Sequence, residues 1–262
     1  MRLEFSAALG RLIRIGEPPA ELGRSTLLEA YDAIDRGAAE EAKRILESFR
    51  YEQQIIQDIY VDWIWAMLTW VQNEIGEPEV ERIMRDTLGS WALARYANYL
   101  DLGFDERLAL TVEGMRGHLS GPGRLGSVDV IDEGNRVVVA FDPCGSGGRA
   151  RRGDVARGVP PASERLELGF SVGAHDWTWR REGVCLYCSH CSLINEILPI
   201  ERLGFPMRVT EYPESPDDKC RWILYKDPQD VPAEAYERVG KRKPTPEELA
   251  EIWARVRAEG SG

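Results

Sequence analysis

Ser127-Val-Asp-Val-Ile-Asp-Glu-Gly-Asn135-Arg-Val-Val-Val-Ala-Phe141-Asp-Pro-Cys144 divides the chain. Two short valine-rich runs flank Asp132-Glu-Gly-Asn135, a turn composition, so the stretch predicts a β-hairpin that runs straight into a cysteine-bearing loop. Everything before it reads as helical. Thr26-Leu-Leu-Glu29 has the form of a capping box and opens a helix to about Asp35. A long second helix is expected from about Ala38 to Asn73, and a third from about Pro78 to Leu100, with Gly89 as a potential break. A fourth covers Asp105 to His118 and is stopped by Ser120-Gly-Pro-Gly123. Amphipathic segments joined by short loops predict a helical bundle.

After the hairpin the chain is expected to be irregular, rich in Gly, Arg and Pro, as far as Gly183. A helix is expected from Ser192 through Leu198, a second strand pair at Met207–Tyr212 and Cys220–Tyr225, and a C-terminal helix opened by Thr245-Pro-Glu-Glu248. The fold class is therefore α+β. The expected division is a helical bundle over 1–125, a small antiparallel β/α region carrying the cysteines over 126–229, and a helical extension over 230–262, with Glu259-Gly-Ser-Gly262 as a frayed end.

The 262 residues carry a net charge of −11, with 43% hydrophobic and 29% charged residues. An acidic globular chain lacks the basic face of a nucleic-acid binder. The start, Met1-Arg-Leu-Glu-Phe-Ser6, does not read as a signal peptide, and the apolar stretch Ile59–Val71 is too short to span a bilayer and contains Asp62. The expectation is a cytoplasmic protein with a small-molecule substrate and neither nucleic acid nor membrane as partner; a homo-oligomer is compatible with the sequence. In the cytoplasm clustered thiols stay reduced, which favours ligands or catalysts over disulfides.

Cys185-Leu-Tyr-Cys188-Ser-His190-Cys191 packs three of the five cysteines into seven residues. The C-x2-C-x2-C spacing matches the first three ligands of a bacterial ferredoxin run, but the fourth position holds Asn195. A [4Fe-4S] cluster would need Cys144 or Cys220 from elsewhere, or would keep one open iron. A single zinc or iron ion would combine two or three of Cys185, Cys188 and Cys191 with His190, His175 or Cys144, and Cys220 is a further candidate ligand. A plain packing role for one or two of these thiols is the competing reading.

Cys144 precedes Gly145-Ser-Gly-Gly148, whose exposed N–H groups suit an anion nest that would favour a thiolate. Cys144, Asp142 and Glu196 are the candidates for nucleophile and acid–base work, against the simpler readings of a flexible turn and a surface carboxylate. Arg149, Arg151 and Arg152 read either as a solvated loop or as recognition of a carboxylate or phosphate. Gln54, Asp58 and Asp62 recur every four residues, the pattern of a solvent face. The sharper reading makes Asp62 part of a polar stripe in a pocket walled by Trp63, Trp65 and Trp70. No Glu-x-x-His pair occurs, so a di-iron bundle is not expected.

The layout resembles the L-2-amino-thiazoline-4-carboxylate hydrolase family over about residues 127 to 225. The resemblance rests on Val137-Val-Val-Ala-Phe141 leading to Cys144, on Cys188 or Cys191 ahead of Glu196, and on Asp217-Asp-Lys-Cys220-Arg-Trp222. It implies a cytoplasmic hydrolase opening a small ring that contains C–N and C–S bonds, with Cys144 and Cys220 carried over by position. The full C-x2-C-x2-C run and the Asp142-Pro-Cys-Gly-Ser-Gly loop depart from that family's pattern. The combined expectation is a metal-dependent hydrolase or lyase acting on a small anionic substrate; an iron–sulfur protein and a structural-zinc interaction module are the alternatives.

Overall fold

The computed structural model describes residues 3–9, 11–15, 18–154 and 158–260. Ser261 and Gly262, the tip of the expected frayed end, lie outside the described residues. The chain divides into two compact units, Met1–Tyr60 and Val61–Gly262. The first holds a hairpin absent from the sequence expectation, β1 (Leu3–Ser6) paired with β2 (Arg11–Arg14), then α1 (Pro19–Leu22), α2 (Thr26–Asp35) and the start of α3 (Ala39–Glu74). Ala30, Ala33, Ala42 and Ile45 form its core. The cap of α2 is Ser25, whose hydroxyl accepts from the Leu28 N–H at 3.4 Å, rather than Thr26.

The second unit fits the α+β class. It continues α3, then adds α4 (Glu77–Tyr99) and α5 (Phe104–Gly117), and Gly89 does not interrupt α4. A four-stranded antiparallel sheet follows in the order β3-β4-β6-β5, made of β3 (Asp129–Asp132), β4 (Arg136–Phe141), β5 (Val209–Glu211) and β6 (Cys220–Tyr225). Between β4 and β5 lie two short helices, α6 (Gly147–Arg152) and α7 (Ala162–Arg165), and then a helical run. That run joins α8 (His190–Ser192) to α9 (Leu198–Leu203) through a π-helical turn, Leu193–Ile197. α10 (Ala233–Glu237) and α11 (Pro246–Gly260) close the chain. The capping box of α11 forms as expected: Thr245 Oγ1 accepts from the Glu248 N–H, and Glu248 Oε2 accepts from the Thr245 N–H.

β4 is buried along both faces, which suits its unbroken run of apolar residues. Val137, Val139 and Phe141 pack with Leu224 and Met115 of α5. Val138 faces the other way and joins Val209, Ile223, Leu193, Ile197 and Trp177 in the main core. The same core receives Val61, Trp65, Leu68 and Val71 from α3, residues at helical spacing. A further cluster joins Tyr96 of α4, Leu203 of α9 and Leu249 of α11.

The polar stripe of α3 is not a solvent face. Gln54 is fully buried, and Asp62 is held between Arg149 and Arg165 at 3.2 and 3.1 Å. Trp63 and Trp70 point outward and are more than half exposed, while Trp65 is buried, so these three do not wall a common pocket. Among the described residues no helix is long and apolar enough to cross a membrane.

Candidate functional site

The sheet register explains why distant cysteines meet. Phe141, the last residue of β4, pairs with Cys220, the first of β6. Cys144 follows Phe141 by one tight turn. That turn is tied to the Ser120 bend: Gly121 N–H donates to the Pro143 carbonyl at 2.9 Å, and Gly145 N–H to Ser120 Oγ at 3.1 Å. Gly145 has to be glycine, since a Cβ there would lie 1.7 Å from the His118 carbonyl oxygen.

The second pair of thiols comes from the turns that lead into α8. The Ser189 N–H closes onto the Cys185 carbonyl at 3.1 Å, and the Cys191 N–H onto the Cys188 carbonyl at 3.0 Å. Cys188, His190 and Cys191 thereby reach the same cavity as Cys144 and Cys220. Aromatic and proline side chains line it, with Phe141, Trp179, Tyr187, Tyr212 and Trp222 prominent.

Of the candidate catalytic, substrate-binding and metal-ligand residues, six therefore line one cavity: Cys144, Cys188, His190, Cys191, Cys220 and Arg151. The others do not. Cys185 is fully buried behind the wall. His175 stacks on Trp177 at 5.1 Å and faces Glu77 at 3.4 Å. Asp142 pairs with Arg152 at 2.6 Å, and Arg149 pairs with Asp62. Glu196 is fully buried. It accepts from Trp179 Nε1 at 2.8 Å, from the Thr210 N–H at 3.0 Å and from Arg238 at 2.5 Å. Burial pushes its carboxyl above the usual carboxylate range despite Arg238. Its position makes it a strut that holds Trp179, a cavity wall whose backbone is left-handed at φ 54°.

The basic run is not a solvated loop. It forms α6, and Arg149 and Arg151 are buried. Arg151 faces the thiols with its guanidinium over the Tyr212 ring at 4.5 Å. Arg208, which sequence reasoning passed over, is half-buried with its guanidinium over the Trp222 ring at 4.3 Å, and it hydrogen-bonds Asn195 Oδ1 at 2.9 Å. Among the described residues neither Arg151 nor Arg208 has a carboxylate ion-pair partner. No local motif announces Arg208; it follows a proline-containing loop and precedes β5 as an ordinary strand-edge arginine would.

Burial raises the thiols of Cys188, Cys191 and Cys220; for Cys188 the hydrogen bond with Cys185 contributes most, ahead of burial itself. The nearby arginines oppose the shift: Arg151 acts on Cys188 and Cys220, and Arg208 on Cys191. His190 donates Nδ1–H to the Tyr187 carbonyl at 2.5 Å, so in the neutral ring Nε2 is the acceptor and meets Cys191 Sγ at 3.6 Å.

Burial lowers the His190 pKa from 6.5 to about 4. The unfolded chain then binds a proton below about pH 6.5 that the fold takes up only near about pH 4, so stability falls as pH drops through that window. The loss is on the order of 3 kcal/mol. In metal-free protein, urea unfolding followed from about pH 8 to about pH 4 should show this acid limb in the wild type and a flatter one in His190→Gln.

Among the described residues no three His, Cys, Asp or Glu donors stand close enough to share one metal ion. Cys144, Cys188, Cys191 and Cys220 line the cavity without forming such a group. No family model, curated protein or solved structure matches the chain.

Proposed function

We propose that the protein holds an iron–sulfur cluster in this cavity, with Cys144, Cys188, Cys191 and Cys220 as its ligands and a cytoplasmic redox role. The observation that carries the reading is the convergence of four thiols from three separate segments on one aromatic-walled cavity. A single zinc ion needs sulfurs within roughly 4 Å of each other, as follows from Zn–S bonds of about 2.3 Å. A four-iron cluster binds each cysteine at a different corner and so takes a wider ring of sulfurs. Two arginines without carboxylate partners among the described residues, Arg151 buried and Arg208 half-buried, support the same reading, because four thiolates and the cluster core leave a net negative charge for them to offset. When bound, such a cluster supplies one-electron transfer. The chain's own residues supply the thiolates, exclude water with aromatic walls, and favour thiolate over thiol through Arg151 and Arg208.

The test is elemental and spectroscopic. Protein purified without oxygen should be brown and contain four irons and four sulfides per chain. Serine at position 144, 188, 191 or 220 should remove the colour, whereas Cys185→Ala should keep it. One zinc per chain and no visible absorption would overturn the reading. A cluster-free thiol hydrolase, as the family resemblance implies, is a second reading, favoured by the Cys191–His190 contact at 3.6 Å. It requires turnover by colourless, metal-free protein.

Gly147 gives a sharper check on the ligand arrangement. A Cβ at this position would lie 2.4 Å from Cys188 Sγ and 3.2 Å from the Tyr187 ring. Gly147→Ala should cost about 1–3 kcal/mol as an overpacked site and leave the fold intact. It should also push the Cys188 sulfur aside and cut iron incorporation severely. Thermal unfolding and iron content measured on the same sample separate the two effects.

A further inference from the structure

Cys185 is the cysteine that does not line the cavity, and its surroundings are specific. It is fully buried one turn before Cys188, and it is the neighbour that raises the Cys188 thiol most. The closure of Ser189 N–H onto the Cys185 carbonyl gives the segment a helical turn, in which residues three apart lie on one face. Such spacing brings two Cα atoms within the range that a disulfide spans. The Cys188 sulfur lies against Gly147, where a Cβ would stand 2.4 Å from it. The other cavity thiols have different neighbours: Cys191 meets His190 Nε2 at 3.6 Å, and Cys144 meets Ser146 Oγ at 3.3 Å.

We infer that Cys185 is a resolving thiol, which captures Cys188 as a disulfide when the cavity is empty of metal and a peroxide enters. Cys188 lines the cavity and meets the oxidant first. Its thiol loses its proton as the sulfur attacks hydrogen peroxide, an S–O bond forms, the O–O bond breaks, and the leaving hydroxide takes up that proton as water. The Cys185 sulfur then attacks the sulfenic sulfur, an S–S bond forms, the S–O bond breaks, and a second water leaves. In sum two thiols and one peroxide give one disulfide and two waters; the sulfurs are oxidised by two electrons and the peroxide is reduced. A dithiol reductant reverses the step by exchange. The consequence rests on Cys188 being a cluster ligand: while joined to Cys185 it cannot bind iron, so the protein refuses a cluster until it is reduced. The disulfide itself does not depend on that reading.

The experiment uses full-length protein stripped with a chelator and treated with hydrogen peroxide. Remaining thiols are blocked with N-ethylmaleimide, the protein is reduced with dithiothreitol, and the released thiols are labelled with iodoacetamide for peptide mapping. The expected result is the second label at Cys185 and Cys188 and the first label at Cys144, Cys191 and Cys220. Free thiols should fall from five to three. Cys185→Ala should form no such disulfide and carry sulfinic acid at Cys188 instead; the wild-type map stands without this variant should it not fold. Second labels on Cys188 with Cys191, on Cys144 with Cys220, or on none of the five would overturn the inference. Iron and sulfide reconstitution is then run on the oxidised and the reduced protein. Uptake only after reduction supports both readings. No uptake in either state, with Cys185 and Cys188 paired, defeats the cluster and leaves the disulfide standing. Uptake with a different cysteine pair defeats the disulfide alone.

Discussion

Glu196→Ala should destabilise the protein by about 3–5 kcal/mol, the cost of breaking a buried ion pair by removing one partner. The carboxylate is fully buried in the π-helical turn, and three donors converge on it. Alanine would leave the Thr210 N–H and the Trp179 indole N–H without an acceptor and Arg238 without its charge partner. Because Trp179 forms one wall of the cavity, the same change should loosen the site even where the fold survives. Glu196→Gln is the informative companion. It retains one acceptor oxygen for the indole and the backbone N–H while losing the charge, so it should recover part of the stability. Urea unfolding of the two variants, with near-ultraviolet circular dichroism to follow the indole, checks both statements. Equal stability of Glu196→Ala and wild type would remove the strut from the account.

Trp65→Ala is the other large effect, expected at about 3–5 kcal/mol from the void a lost indole leaves in a packed core. Trp65 is fully buried. It donates Nε1–H to the Gly169 carbonyl at 2.7 Å and sits edge-on to Phe170 at 5.5 Å. Thr69, one helical turn later, accepts from the Gly169 N–H at 2.7 Å, so α3 holds both backbone polar groups of this residue. The loop lies just before the cysteine turns, and Phe170 bridges to Cys185. Loss of Trp65 should therefore raise hydrogen exchange at Gly169 to Leu186 more than in α11, which amide exchange by mass spectrometry would resolve. Trp65→Phe, which keeps most of the volume but not the donor, should lose markedly less.

The architecture was legible where local chemistry decides it. The α+β class, the hairpin that ends near Cys144 and the capping box at Thr245 all follow from runs of valine, turn residues and cap spacing. The burial of α3 was not. Gln54, Asp58 and Asp62 have the spacing of a solvated stripe, but Arg149 and Arg165, far along the chain, hold Asp62 inward. Trp63 and Trp70 are left outside, and periodicity alone cannot assign which face of a helix meets partners distant in sequence. α6 was missed for a related reason: Gly147-Gly-Arg-Ala-Arg-Arg152 reads as a breaker followed by charge, and its burial depends on neighbours such as Asp62 and Tyr212.

The candidate site was half visible. The repeat in the heptapeptide pointed to Cys188, His190 and Cys191, yet it also implied that Cys185 shared their direction. The turn geometry sends Cys185 behind the wall instead. The pairing of Phe141 with Cys220 supplies the remaining thiols, and a β register cannot be read from two separate strands when neither carries a turn that fixes it.

That register also sets an order of events in synthesis and folding. Cys188 and Cys191 are brought together by turns of a few residues, which form fast and early. Cys144 and Cys220 meet only when β6 has left the ribosome and docked on β4, a pairing of high sequence separation and correspondingly slow closure. Until then a growing chain carries half a ring of thiols and no enclosing walls. Any cofactor acquired with all four thiols must therefore be loaded after the last strand is in place.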